Sequence, residues 1–288
     1  MNKKLLAIVC GWGTLVLSSC MDTSVVESDI SGIPSMGITR YDGTIYDYLQ
    51  NDDHTLGVTY DSLLYLLNYS GESATPLKLS KLKDCLQDTE GQYTFMAIPD
   101  SCFRFALKAL NNYRRLNKLT IAGTDMPTDA TTAEKNAIGE LTLEKLLNYH
   151  KEIERTDEKK PANKWTDVYE YKAPLDSMLC HYMAFGLYDT EALSLVNVAE
   201  GKVIQGLYPY RMNLTYKRLS ASGFVGSGPK DITFYDMRNT LEKTRWESTK
   251  VLWTDIYATN GVIHVLVPQH EFGFGNFIHY FRNIGHEE

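Results

Sequence analysis

No stretch of this 288-residue chain holds the ~20 consecutive apolar residues that a bilayer-spanning helix needs. Cysteine is scarce. The five are Cys10, Cys20, Cys85, Cys102 and Cys180, and their spacing matches no metal site. Beyond residue 20, the three that remain read as small buried apolar side chains. A Cys85–Cys102 disulfide stays open in an oxidising compartment. Basic residues are outnumbered, 29 Lys and Arg against 36 Asp and Glu, for a net charge of −7. Nucleic acid and anionic lipid surfaces both demand clustered cations, so neither is expected as a main partner. Catalytic signatures are missing too. There is no His-Glu-x-x-His, no Gly-x-Ser-x-Gly and no phosphate-cradling loop ending in Lys-Ser/Thr. Gly226-Ser227-Gly228-Pro229 reads as a turn. His264, His270-Glu271 and His279 fit no metal-ligand template. The expectation is a protein with no cofactor and no metal, and not an enzyme.

What is present begins with an export signal. Met1-Asn2-Lys3-Lys4 is a short positive end, and Leu5 to Leu17 is apolar but too short to span a bilayer. Leu17-Ser18-Ser19-Cys20 resembles a bacterial lipobox, in which cleavage leaves an acylated Cys20 as the first residue. Acyl chains there would hold the protein at a membrane, at ~0.8 kcal/mol per buried methylene. Loss of Lys3 and Lys4, with no acid, takes the charge from −7 to −9. Residues 21–40 are polar and contain Pro34, Gly32 and several serines, as a flexible tether would.

The rest, 41–288, is 43% hydrophobic and 23% charged over the whole chain, enough for a sizeable core. Amphipathic spacing predicts short helices over Thr44–Leu49, Tyr60–Tyr69 and Leu77–Leu82. Tyr93–Ile98 is a buried strand, stopped by Pro99, after which Asp100 or Ser101 can cap a helix running to Arg115. A strong helix is expected over Ile138–Ile153, a charged connector over Glu154–Asn163, and another helix from Pro174 to Met183. Met212–Lys217, Ile232–Phe234, Val251–Ala258 and Gly261–Val267 read as strands. Asn260-Gly261 is a hairpin signal whose residues tolerate positive φ. Helices first and strands later give an α+β fold in which Tyr93–Ile98 joins the late sheet, so Phe95 and Ile263 share one interior.

Three segments carry a family resemblance. Thr44-Ile45-Tyr46-Asp47-Tyr48-Leu49 and Tyr93 to Phe103 resemble the start and first signature block of fasciclin-type domains. Asp255-Ile256-Tyr257-Ala258-Thr259-Asn260-Gly261-Val262-Ile263-His264-Val265-Leu266 resembles the second block. Leu175 to Leu193 is similar to the middle helix that carries a Tyr-His pair in the family. Here the order is His181-Tyr182, and Tyr149-His150 lies earlier. The resemblance spans roughly Asp42 to Phe272, with an insertion at about 122–173. It implies a fasciclin-like wedge of β-strands with several packed helices, of the kind found in Gram-negative lipoproteins.

The function it implies is adhesion, or protein or polysaccharide binding, without catalysis, by an outer-membrane, lipid-anchored protein at the cell surface. The alternative is an accessory glycan-binding lipoprotein that works beside an outer-membrane transporter. By analogy with the family, Asp255, Asn260 and His264 are candidate partner-binding residues, although His264 also reads as a core histidine bonded to backbone. Tyr208, Tyr210, Trp246 and Trp253 are either flat amphipathic platforms for a sugar or protein, or sheet-face aromatics. The aromatic run from Phe272 to Phe281 is expected to pack back on the domain. Cys20→Ser is expected to abolish acylation and release the chain into the soluble fraction. Detergent-only extraction of that variant, compared with wild type by fractionation, would count against the anchor.

Overall fold

The computed structural model describes residues 39–51, 57–71, 73, 76–119, 139–221, 226 and 228–287. The expected signal peptide, Cys20, most of the tether and the Thr/Asp-rich segment 122–134 lie outside the described residues. In order, the chain forms β1 (Thr39–Arg40), α1 (Ile45–Gln50), α2 (Asp61–Leu67), α3 (Leu79–Gln87), β2 (Tyr93–Ala97) and α4 (Asp100–Leu116). Next come α5 (Leu143–Asn148), β3 (Lys151–Thr156), β4 (Lys164–Tyr169), α6 (Lys172–Cys180), β5 (Met183–Phe185) and α7 (Thr190–Ser194). The C-terminal part holds β6 (Lys202–Gln205), β7 (Arg211–Arg218), β8 (Lys230–Asp236), β9 (Glu247–Ala258), β10 (Gly261–Leu266) and α8 (Asn276–Phe281).

The fold is α+β. Eight strands form one sheet in the order β5-β2-β10-β9-β8-β7-β6, with β1 added in parallel along the second half of β9. Its centre is the parallel pair β2 and β10, in which Phe95 lies directly opposite Ile263. Every residue of both strands is buried. Such continuous apolar runs suit strands that are covered on both faces. The sheet nearly closes on itself. Just after β6, a Cβ on Gly206 would sit 2.3 Å from the carbonyl oxygen of Met183 and 2.7 Å from that of Cys180, so the two edges meet where only glycine fits.

The helices follow from apolar spacing and caps. Thr44 and Asp47 form a capping box at the start of α1. Leu63, Leu66 and Leu67 of α2, and Leu79, Leu82 and Leu86 of α3, are all buried. On α4 the stripe is Cys102, Phe103, Ala106 and Leu110. Asp100 does not cap its own helix. Its carboxylate accepts the Ser62 and Asp61 N–H groups at 2.7 and 3.1 Å and so caps α2, while Pro99 occupies the N-cap of α4. Phe272, Phe274, Phe277 and Phe281 fold back into the core.

Three expectations change. The Ile138–Ile153 helix shortens to α5, because from Lys151 the spacing switches to period two: Lys151, Ile153 and Arg155 are half-buried and the residues between them exposed. The charged stretch 154–163 then belongs to a hairpin, β3 with β4, pairing Lys151 with Tyr169 through Thr156 with Lys164. Two strands alone are marginal in water. This pair is tied at its base by Glu287, whose carboxylate accepts the Tyr149 and Tyr171 hydroxyls, both at 2.7 Å, and Lys151 Nζ at 3.2 Å. The last tether residues, Thr39 and Arg40, pair with Ile256 and Tyr257, so the sheet begins inside the segment expected to be flexible. Cys85, Cys102 and Cys180 are free thiols.

The β9–β10 hairpin forms where Asn260-Gly261 points to it, but not through positive φ, which neither residue adopts. Glycine is required for approach instead: a Cβ on Gly261 would lie 2.1 Å from the Tyr93 carbonyl oxygen and 2.9 Å from Ile45 Cδ1. Asn260 is fully buried. Its Oδ1 accepts the Ile45 N–H at 2.8 Å, its Nδ2 donates to the carbonyls of Leu86 and Cys85 at 2.9 and 3.3 Å, and its own carbonyl accepts the Tyr93 N–H at 3.0 Å. Asn260→Ala is expected to cost about 2–4 kcal/mol by orphaning several of these groups. Gly261→Ala is expected to cost about 1–3 kcal/mol by overpacking. Urea unfolding measures both, and wild-type midpoints for the two variants would show that this turn does not bind the layers together.

Candidate functional site

The segment Asp255–Leu266 places Asp255, Asn260 and His264 in the interior. Across β9 and β10, Ile263 faces Ile256 and Val265 faces Trp253, so Thr254 and Asp255 together oppose His264. That is a β-bulge, and Asp255 takes it with φ at 60°, a left-handed conformation that a non-glycine residue adopts only when its surroundings hold it. His264 captures the displaced backbone: its Nδ1 accepts the Asp255 N–H at 3.3 Å. Its Nε2 lies 2.9 Å from the Tyr188 carbonyl oxygen. A carbonyl can only accept, so Nε2 carries the proton and the ring is the neutral Nε2–H tautomer. Complete burial pushes its pKa down, against the attraction of the Asp255 carboxylate.

Asp255 is equally occupied. It accepts the Thr190 N–H at 2.8 Å, the Thr190 hydroxyl at 2.5 Å and Lys230 Nζ at 3.0 Å. Burial raises its pKa, but the Thr190 hydroxyl, the nearby His264, the Thr190 N–H and Lys230 outweigh it and hold the carboxyl below its ordinary value. The bulge therefore aims one carboxylate at the start of α7 and one imidazole at the loop before it. Asp255 and His264 are brought together, Asn260 stands apart at the turn bonded to α1 and α3, and none of the three presents a surface.

The aromatic candidates are half-buried. Tyr208 gives its hydroxyl proton to Asp176, beneath Lys78 Nζ at 4.0 Å from the ring centre. Tyr210 donates to Asp236 Oδ1 at 2.6 Å, and His181 stacks on its ring at 4.1 Å. Trp253 packs against the core, and Trp246 donates to the Thr240 carbonyl at 2.9 Å. Exposed apolar area lies elsewhere. Trp165 and Val168 of β4 are 50% and 45% exposed, and Phe185 and Leu187 are similarly open. Sequence reading missed the hairpin surface because Trp165 and Val168 follow the connector expected over Glu154–Asn163, in a stretch to which no element was assigned.

It also missed a cleft. The start of β9 and the loop 267–275 bound an open cleft of about 370 Å³, with Glu247, Thr249, Lys250, His270 and Glu271 in its lining. Only His270-Glu271 left a sequence signal, as an unmatched pair. His270 is held by Tyr182, whose hydroxyl lies 2.7 Å from Nε2 and accepts the Gly273 N–H at 3.0 Å. The Tyr182 proton therefore goes to Nε2, and Nδ1 bears the ring proton. Burial pushes this imidazole down to about 3 and that of His181 to about 4. Burial, with the nearby Glu247, raises the Glu271 carboxyl. Among the described residues no cluster of three His, Cys, Asp or Glu could hold a metal, and no helix is long and apolar enough to cross a membrane.

No protein-family model and no curated relative matches the sequence. Among solved structures, a FAS1 domain pair from the insect cell adhesion molecule fasciclin I is similar at 11% identity and a TM-score of 0.38, over 80% of this chain and 50% of that one. The chain thus spans about half the length of that domain pair. A likeness this remote says nothing about activity or partners.

The buried histidines set the acid response. Their folded pKa values lie below the 6.5 of the free side chain, so the unfolded chain binds more protons and stability falls as pH drops below about 6.5. His270 alone contributes up to about 1.4 kcal/mol per pH unit there. Denaturant unfolding from pH 7 to pH 4 is expected to show this loss, with a shallower slope in His270→Gln. A flat profile would mean that these imidazoles are protonated in the folded protein.

Proposed function

We propose that this chain is a lipid-anchored envelope protein whose fasciclin-like body binds a protein or polysaccharide partner and performs no catalysis. The observation that carries the reading is the complete engagement of Asp255, Asn260 and His264. The motif residues best suited to chemistry spend their lone pairs and protons on the backbone and side chains of neighbouring elements. A buried acid and histidine used in this way shape a surface; they do not act on a substrate. Among the apolar side chains exposed outward are those of the β3–β4 hairpin and of the Phe185-Leu187 turn. The lipobox ending at Cys20 supplies the anchor in this reading, and the net negative charge turns the body away from anionic lipid.

A second reading, the accessory glycan-binding lipoprotein of an outer-membrane uptake system, is favoured by one feature, the polar cleft at the start of β9. A glycan array separates the two, since retention of a defined polysaccharide favours the second. The primary test is protease shaving of intact cells followed by crosslinking. Shaving is expected to remove the body from the cell surface and lower adherence several-fold, and cells producing Cys20→Ser are expected to match shaved ones. Turnover of a glycan or ester by the pure protein, lost on changing one carboxylate, would overturn the reading.

A further inference from the structure

Helix α4 turns outward a face that carries cations and no acid. Its one carboxylate, Asp100, is buried and committed to α2 and the residues before it, accepting the Asp61 and Ser62 N–H groups and the Thr59 hydroxyl. Arg104, Lys108 and Arg115 are all exposed. At about 3.6 residues per turn they fall within about 40° of one another, along about 16 Å of helix. Lys118, also exposed, follows just past the last turn. Among the described residues no carboxylate pairs with any of the four. Arg115 bonds Asn112 Oδ1 on its own helix at 3.2 Å. Elsewhere, Arg155, Lys230, Arg238 and Lys250 each lie within 3.3 Å of an acid. In a chain of net charge −7, this strip is a local reversal of sign.

The shape of the strip selects among anions. It is one helix wide, and its neighbours carry acids. The exposed Asp61 lies beside the start of α4, and Asn111 exchanges hydrogen bonds with Leu141, next to the exposed Glu140. A flat anionic bilayer would meet these acids together with the cations, whereas a single polymer chain can follow the strip alone. A helical peptide needs a continuous apolar seam, and an extended one needs a sheet edge. α4 offers neither, because Phe105 and Leu116, 49% and 78% exposed, are separated along the helix by the small Ala109 and the polar Asn112. Single-stranded nucleic acid needs a row of aromatic faces for successive bases, and the exposed residues of α4 include one aromatic, Phe105. An acidic polysaccharide needs none of these. It presents carboxylates along a narrow thread, which Arg forks and Lys ammonium groups answer, and the apolar faces of its rings suit Phe105.

We propose that the outer face of α4 binds an acidic, uronate-bearing polysaccharide, with Arg104, Lys108 and Arg115 pairing its carboxylates. The proposal rests on the binding role proposed above and names a ligand class for one surface. It can fail alone, because adherence through a protein held at the hairpin needs none of these cations.

The test uses the full chain with polygalacturonate, and with dextran as a neutral polymer, by calorimetry and affinity electrophoresis. Polygalacturonate is expected to bind at low salt and dextran not to. Binding is expected to vanish near about 1 M salt, where the screening length is about 3 Å. The combined variant Arg104→Gln, Lys108→Gln, Arg115→Gln is expected to bind roughly ten-fold or more weakly, with circular dichroism unchanged. Lys159→Gln, Lys160→Gln and Lys164→Gln together remove the same charge at the hairpin and are expected to leave wild-type affinity. Absence of polygalacturonate binding would overturn the proposal, as would equal losses in the two combined variants, which would mark attraction by net charge alone. Tighter binding of phosphatidylglycerol vesicles or of oligothymidylate would also overturn it and mark a membrane or nucleic-acid surface. Loss of adherence on shaving, with no polygalacturonate bound, would strike this ligand and leave the broader binding role standing.

Discussion

One buried amide holds the layers of this protein together. Asn260 receives the first N–H of α1, donates to the last carbonyls of α3, and through its own backbone starts the β2–β10 ladder. Helix ends leave N–H and C=O groups that must find partners, and here one side chain answers a start and an end at once. Because Asn260 sits at the turn of the β9–β10 hairpin, the same residue sets where the helices stand over the sheet. Gly261 beside it removes the one side-chain atom that would push β2 away.

The bulge at Thr254 and Asp255 is the second constraint, and it depends on the first for register. A two-against-one mismatch frees a backbone N–H inside the protein, and an interior N–H without an acceptor is costly. His264 supplies the acceptor, and the Tyr188 carbonyl fixes which nitrogen carries the proton. The left-handed turn at Asp255 then directs its carboxylate to Thr190 and Lys230. Strand β9 changes neighbours near this point. Its first half pairs with β8 and its second half with β1, while β10 runs along the other edge. A single irregularity thus lets one long strand serve two parts of the sheet.

Charge is handled the same way around Arg114 and Glu287. Arg114, almost wholly buried, gives one N–H to the Arg282 carbonyl, and its positive field reaches Glu287. Burial raises the Glu287 carboxyl, but the Tyr171 and Tyr149 hydroxyls bring it below the ordinary range, so it stays ionised in the interior. An ionised group with several donors is a firm anchor, and it roots the β3–β4 hairpin that would be marginal alone.

Local pattern made much of this readable. Alternation and helical spacing located α1, α2, α4, β7 and β9, continuous apolar runs located β2 and β10, and the hairpin at Asn260-Gly261 was legible from turn chemistry. The switch at Lys151 was not, since Leu141 to Leu147 supply a helical stripe that nothing local ends, and only pairing with β4 shows the change. Strands as short as β5 and β6 hold too few residues for any period to register. The same division runs through the site. The sequence by itself determined which residue types stand at Asp255, Asn260, His264 and Glu271, and that Asp255 and His264 lie on the strands flanking the Asn260 turn. Tertiary structure alone decided that three of these close on partners inside the fold while Glu271 and Thr249 keep unpaired oxygens. Whether a polar atom is satisfied depends on groups brought together from distant parts of the chain, as Asn260 and Ile45 are, and no local pattern encodes that meeting.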